Sequence, residues 1–96
     1  MTPFQGNTAA TVNIDVSSFS QRVAIPNNNT AVRVMNNGTA TVWIAFGDVT
    51  VTASLTTSMP IGPGAIEVLR LSNAGYVAAI AAGSTGKIYF TPGEGI

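Results

Sequence analysis

The chain has 96 residues, room for one domain and one core, and a domain of that size buries roughly 60–65% of its unfolded surface, so it can fold alone. Four basic residues balance four acidic ones, which excludes the clustered cations of a nucleic-acid-binding face and disfavours an electrostatic membrane anchor, while so little charge favours association. Cysteine and histidine are both absent, which excludes disulfides, thiolate or imidazole metal sites and any triad built on a histidine base.

Residues 1–10 are small and polar, with Pro3 and Gly6, and read as a flexible N-terminal arm. A functional version of the same reading lays the arm on a neighbouring subunit. The arm lacks a basic stretch followed by an apolar one, so it does not read as an ordinary signal peptide, and no run in the chain approaches transmembrane length. Residues 11–96 read as a single β domain. In residues 11–16, Val12, Ile14 and Val16 alternate with Asn13 and Asp15. Residues 19–25 continue the theme, with Phe19, Val23 and Ile25 on one side and Arg22 on the other. Pro26 ends that strand, and Asn27-Asn28-Asn29 forms a polar loop.

Residues 32–46, VRVMNNGTATVWIAF, predict a β-hairpin. Val32 and Val34 alternate with Arg33 and Met35. Beyond the turn, Val42, Ile44 and Phe46 alternate with Thr41, Trp43 and Ala45. A three-residue loop ending in Gly38 keeps apolar residues opposite apolar ones, and its G1 bulge demands a positive φ at Gly38. One face of the hairpin is then purely apolar, and the other gathers Arg33, Met35 and Trp43.

Gly47-Asp48 signals a turn, residues 49–52 a short β-branched strand and residues 53–58 a loop. Pro60-Ile61-Gly62-Pro63-Gly64 is the strongest punctuation, with Pro63-Gly64 suited to the centre of a type II turn. Residues 65–71 form a strand with Ile66 and Val68 facing one way, Leu69 and Leu71 the other. Ser72-Asn73-Ala74-Gly75 is a turn. Residues 76–82, YVAAIAA, lack a polar face and lie between two glycines, which favours a strand buried on both faces over a short helix. Gly83-Ser84-Thr85-Gly86 turns the chain into a last strand over residues 87–91, and Pro92-Gly93-Glu94-Gly95-Ile96 is an irregular tail. About eight short strands with turns every eight to twelve residues predict an all-β antiparallel sandwich. Jelly-roll and immunoglobulin-like topologies are both open, and the strand number and central Pro/Gly turn favour the jelly roll.

No catalytic motif appears. Asp15, Asp48, Glu67 and Glu94 are isolated in sequence, too sparse for a calcium loop. Two of them meeting across a sandwich in a glycosidase is the weakest functional reading. The glycines fall at turns rather than between a strand and a helix, so none builds a phosphate cradle. No cofactor or metal is expected. The residues singled out are Arg33, Met35 and Trp43, whose types are enriched at protein interfaces. The plainer reading packs Trp43 inside.

The segments VRVMNNGTATVWIAFGD, MPIGPGAIEVLRL and YVAAIAAGSTGKIYFTPGEGI resemble, in that order, small β proteins of tailed-bacteriophage structural modules. The likeness runs from about Val32 to Gly95 and is loose before that. Its motifs are structural punctuation and carry over no catalytic residue. The resemblance implies a virion protein at the capsid surface, made in the host bacterial cytoplasm. It would be a capsid decoration or cement protein that assembles with itself, by analogy as a trimer, and binds the major capsid protein. Neither nucleic acid nor membrane is an expected partner. The alternative is a tail- or fibre-associated module that recognises a host surface glycan.

Overall fold

A computed structural model describes residues 4–6, 8–25, 30–71, 74–83 and 86–94. Nine strands run through them: β1 (Gln5–Gly6), β2 (Val12–Val16), β3 (Gln21–Ala24), β4 (Ala31–Asn36), β5 (Val42–Gly47), β6 (Met59–Ile61), β7 (Ile66–Arg70), β8 (Tyr76–Ile80) and β9 (Gly86–Glu94). A 3-10 turn at Thr8–Ala10 is the only helical element among the described residues. One sheet has the order β2-β9-β4-β7, with β1 continuing the β2 edge of β9. The other has the order β3-β8-β5-β6, and every pairing is antiparallel. Consecutive strands from β2 to β5 and from β6 to β9 alternate between sheets in matched pairs. This is the strand order of a jelly roll, two Greek keys wound together.

The alternating valines and isoleucines fill the space between the sheets. Ile14, Val16, Val32, Val34, Ile88 and Phe90 come from the first sheet, and Val42, Ile44, Ile61, Val77 and Ala79 from the second. Each is nearly or wholly buried, and each side chain of that size contributes roughly 1.5–3 kcal/mol by leaving water. β8 is the strand whose composition left a helix conceivable. Its Val77, Ala78 and Ala79 are all 0% exposed, as expected for a strand covered on both faces. Glu67 pairs with Val34 and so belongs to the inward row of β7, an edge strand, yet it is exposed at the rim. A charge at that place discourages pairing with another sheet edge.

The expected hairpin does not exist. β4 pairs with β7 and β9, whereas β5 pairs with β6 and β8. The two strands lie in opposite sheets, and residues 37–41 are the corner that joins them. The alternation was sound, since Val32, Val34, Val42 and Ile44 do face one core. Alternation fixes which way a side chain points but not which strand lies alongside. The deciding group is Asn36, 0% exposed at the end of β4. Its Nδ2 donates to the carbonyls of Ala40 and Ile61, both at 2.9 Å, and its Oδ1 accepts from the Gly38 amide at 3.0 Å. Its own amide donates to Ala65 and its carbonyl accepts from Gly64. These bonds turn the chain away from β4 and tie the corner to β6 and to the turn after it. Gly38 therefore needs no left-handed backbone. Positive φ occurs at Gly64 and Gly86, and Gly38 is not among them.

Other departures are local. Residues 49–52 form no strand. Asp48 Oδ1 accepts from the Thr50 amide at 2.8 Å and its hydroxyl at 2.6 Å, and the Val51 amide returns to the Asp48 carbonyl, which closes a turn instead. The eighth jelly-roll strand is β6, whose Pro60 is tolerated because β6 pairs only with β5. Phe19 stands 77% exposed rather than beside Val23, held out by a turn in which its amide donates to Ser17 Oγ. The expected tail belongs to β9 as far as Glu94. Pro92 lies where the flanking edge passes from β2 to β1: Phe90 pairs with Val12 and Gly93 with Gly6, and among the described residues the proline has no ladder partner on that side. Within the expected flexible arm, Gln5–Gly6 pair with Glu94 and Gly93. As expected, the Pro63-Gly64 turn closes with the Ala65 amide on the Gly62 carbonyl and φ 75° at Gly64. The Asn27-Asn28-Asn29 loop, Ser72-Asn73, Ser84-Thr85 and Gly95-Ile96 lie outside the described residues.

Replacing Asn36 by leucine keeps the branching at Cγ but strands two carbonyls and an amide. Asn36→Leu is expected to lose about 2–4 kcal/mol of stability in urea unfolding. An unchanged midpoint would show that the corner does not depend on this side chain.

Candidate functional site

The chain offers outer sheet faces rather than a built catalytic centre. Residues paired across antiparallel strands share a face, so the registers define each surface. On the β3-β8-β5-β6 sheet, the outer row through Trp43 holds Ile80 and Pro60. The next row is Ala45, Ala78 and Arg22, and the last is Gly47, Tyr76 and Ala24. Arg22 is the one charge in these rows. Trp43 is half-buried and Ala78 is 0% exposed. The segment after β5 lies over this side of the sheet, with Val51 against Gly47 and the Ala53 amide donating to Ser20 Oγ at 2.8 Å, and the tryptophan stands at one end of the covered rows.

The outer face of the other sheet differs. It carries Arg33 with Thr91 and Val68, Met35 with Tyr89 and Ile66, Asp15 with Lys87, and Arg70 near the edge. Lys87 Nζ lies 2.6 Å from Asp15 Oδ1, and that hydrogen bond, with the carboxylate's charge, raises the lysine above its ordinary value. Thr11, Arg33, Met35, Tyr89 and Thr91 line a shallow groove of about 210 Å³. The structure therefore brings Arg33 and Met35 together and places Trp43 on the opposite side of the sandwich. The split follows directly from the corner at residues 37–41, because β4 and β5 turn their backs to each other. What sequence reasoning missed is the covered apolar row behind Trp43. Its only signal was the alanine-rich run in β8.

A larger recess, about 460 Å³, opens at one end of the sandwich. Phe46, Asp48, Val49, Leu71 and Tyr76 are among its walls, and Gly47 and Ala74-Gly75 supply backbone. Asp48 is its one charged side chain. Hydrogen bonds from the Thr50 hydroxyl and amide hold the Asp48 carboxyl below its ordinary value. Among the described residues, no three acidic side chains converge as a metal would require, and no helix is long and apolar enough to cross a membrane.

No protein-family model matches the chain, and no curated protein does. The fold is similar to several solved structures, two of which follow. One is described in the words "Bacillus endospore appendages form a novel family of disulfide-linked pili". It shares 15% identity over 88% of this chain and 84% of its own, at a TM-score of 0.50. The other is the crystal structure of PirA, at 16% identity over 86% of this chain and 93% of its own, with a TM-score of 0.52. At such identity the likeness concerns the fold.

The Asp48 turn gives a pH signature. A carboxyl held below its unfolded value stabilises the folded state above that value, and the contribution is lost as pH falls through the folded one. Thr50→Val removes the hydroxyl bond while keeping the shape. The Asp48 titration followed by carboxyl NMR is expected to move up towards the ordinary range, and an unmoved midpoint would assign the shift elsewhere.

Proposed function

We propose that the chain is a non-enzymatic structural protein of a virion. It is a capsid decoration protein that assembles with copies of itself, as a trimer, and binds the major capsid protein at the outer surface of the shell. The observation that carries this reading is Trp43, half-buried on the outer side of β3-β8-β5-β6 beside Ile80 and the exposed Pro60, in rows whose single charge is Arg22. A partly exposed indole among apolar neighbours is a surface that another protein can cover. Burial of the indole at such a contact contributes about 2 kcal/mol or more per copy, and a symmetric shell multiplies weak contacts through multivalency. Two further points support the reading. The segments from Val32 to Gly95 resemble phage structural proteins, and a pilus-forming protein shares the fold. With no cysteine in these 96 residues, no disulfide can join copies through them, in contrast to the disulfide-linked pili of that neighbour.

A second reading, a tail- or fibre-associated module that binds a host surface glycan, draws support from the recess at Asp48. It combines the rings of Phe46 and Tyr76 with a carboxylate acceptor.

Sedimentation of wild type and Trp43→Ala, alone and with empty capsids, separates these readings. Wild type is expected to sediment as an oligomer and to pellet with capsids. Trp43→Ala is expected to keep its fold and bind at least about 30-fold more weakly, the equivalent of 2 kcal/mol. A wild-type monomer left in the supernatant contradicts the decoration role. A Trp43→Ala chain that unfolds contradicts the outward placement.

A further inference from the structure

The N-terminal arm is docked more closely than its length requires. Gln5 pairs with Glu94 and Gly6 with Gly93, at the end of β9 that β2 does not reach. Gly93 is buried, and a Cβ added there would lie 2.8 Å from Phe4 Cζ and 2.9 Å from Gly6 Cα, and closer still to the Gln5 carbonyl oxygen. All three obstructing atoms belong to the arm. A Cβ on Gly6 would in turn meet the Phe4 ring at 3.1 Å and Thr91 Cγ2 at 3.2 Å. Two glycines thus face each other across the ladder so that Phe4 and the arm backbone can lie against β9. Gly93 has no positive φ. Its lack of a side chain answers to the arm, which supplies the three atoms nearest that position.

The described part of the link between arm and body, Thr8–Ala10, lies at the surface. The 3-10 turn at Thr8–Ala10 contains no buried residue. Its recorded ties are the Thr11 amide on the Thr8 carbonyl at 3.3 Å and the Thr11–Thr91 hydroxyl pair at 3.0 Å, which marks where the body begins. A shape-specific seat joined to the fold by an unburied hinge is the arrangement that permits exchange of an identical element between copies. The seat makes the same contacts with an arm from either chain. The balance therefore depends on the local concentration of the second copy and on the strain in the hinge. Residues 4–10, fully extended, reach about 23–25 Å, comparable with the short dimensions of the domain, 27 and 23 Å.

We infer that the arm of one copy occupies the Gly93 seat of a neighbouring copy when the protein assembles, so that residues 4–6 add a short strand to the partner's β9. This rests on the self-assembly reading above and names one contact within it. The arm supplies a reciprocal link that complements the apolar face around Trp43, and it lies on the opposite sheet. Each copy then gives one arm and receives one, which suits a closed ring.

The absence of native cysteine makes the test clean. Gln5→Cys and Glu94→Cys are prepared as separate proteins, mixed at assembling concentration and oxidised. Paired residues on adjacent strands lie within disulfide range. The expected result is a covalent heterodimer joined through positions 5 and 94. It should be lost when Gly93→Ala is added to the Glu94→Cys chain, and absent when Asp48→Cys replaces Glu94→Cys. Circular dichroism and sedimentation on Gly93→Ala verify that the body is folded. If a chain carrying both Gln5→Cys and Glu94→Cys closes only on itself while wild type sediments as an oligomer, arm exchange is wrong and self-assembly stands. If wild type is a monomer throughout and only internal disulfides form, both fail. A heterodimer that persists with Gly93→Ala removes the seat from the explanation and overturns the inference.

Discussion

The carboxamide of Asn36 is the interaction on which the rest of the sandwich depends. It is the one buried polar side chain among the described residues, and its bonds go to Gly38, Ala40 and Ile61. A buried amide left unpaired costs more than a hydrogen bond gains, so the position is tolerable only when all its partners are in place. That condition selects one corner geometry. It sends the chain from one sheet to the other, sets β6 beside β5 and brings the Pro63-Gly64 turn back under β4. The apolar pairs between the sheets supply most of the stability, but they are forgiving about partners. Valine packs against isoleucine in many topologies. The Asn36 network accepts far fewer, and so it acts on specificity more than on the total free energy.

Much of the architecture was legible because period-two alternation reports facing directly. Val12, Ile14 and Val16, the β4 and β5 valines and isoleucine, and Ile88 with Phe90 point inward as their spacing required. Turn chemistry was legible where backbone conformation is nearly forced, at Pro63-Gly64. Pairing was not legible. Asn36-Asn37-Gly38 carries the residues of a hairpin turn, yet the same residues serve a corner once the asparagine side chain bonds across to β6. Residues 49–52 have strand-forming composition, but Asp48 captures the Thr50 amide before any neighbour does. β6 was hidden because three residues with a central proline look like a loop until an edge position makes the proline harmless. Arg33, Met35 and Trp43 were correctly read as outward residues. Their separation onto two surfaces followed from the unread crossover.

That separation reshapes the functional picture. One outer face is nearly free of charge, and the other carries Asp15, Lys87, Arg33 and Arg70 together with the docked arm. A building block with two unlike faces can make two unlike contacts, one with its own copies and one with a larger surface. A protein with four acidic and four basic residues on 96 positions keeps little repulsion between copies. Among the described residues no three acidic side chains converge to hold a metal ion.

The chain has a single tryptophan, so its fluorescence reports on Trp43 alone. Emission and acrylamide quenching, followed as the protein is concentrated and then mixed with capsids, address the apolar face directly. The proposed assembly predicts a blue shift and a loss of quencher access as copies associate, because a half-buried indole becomes fully covered. Association seen by light scattering while Trp43 keeps its emission and its quenching constant would leave that face in water, and would contradict the account.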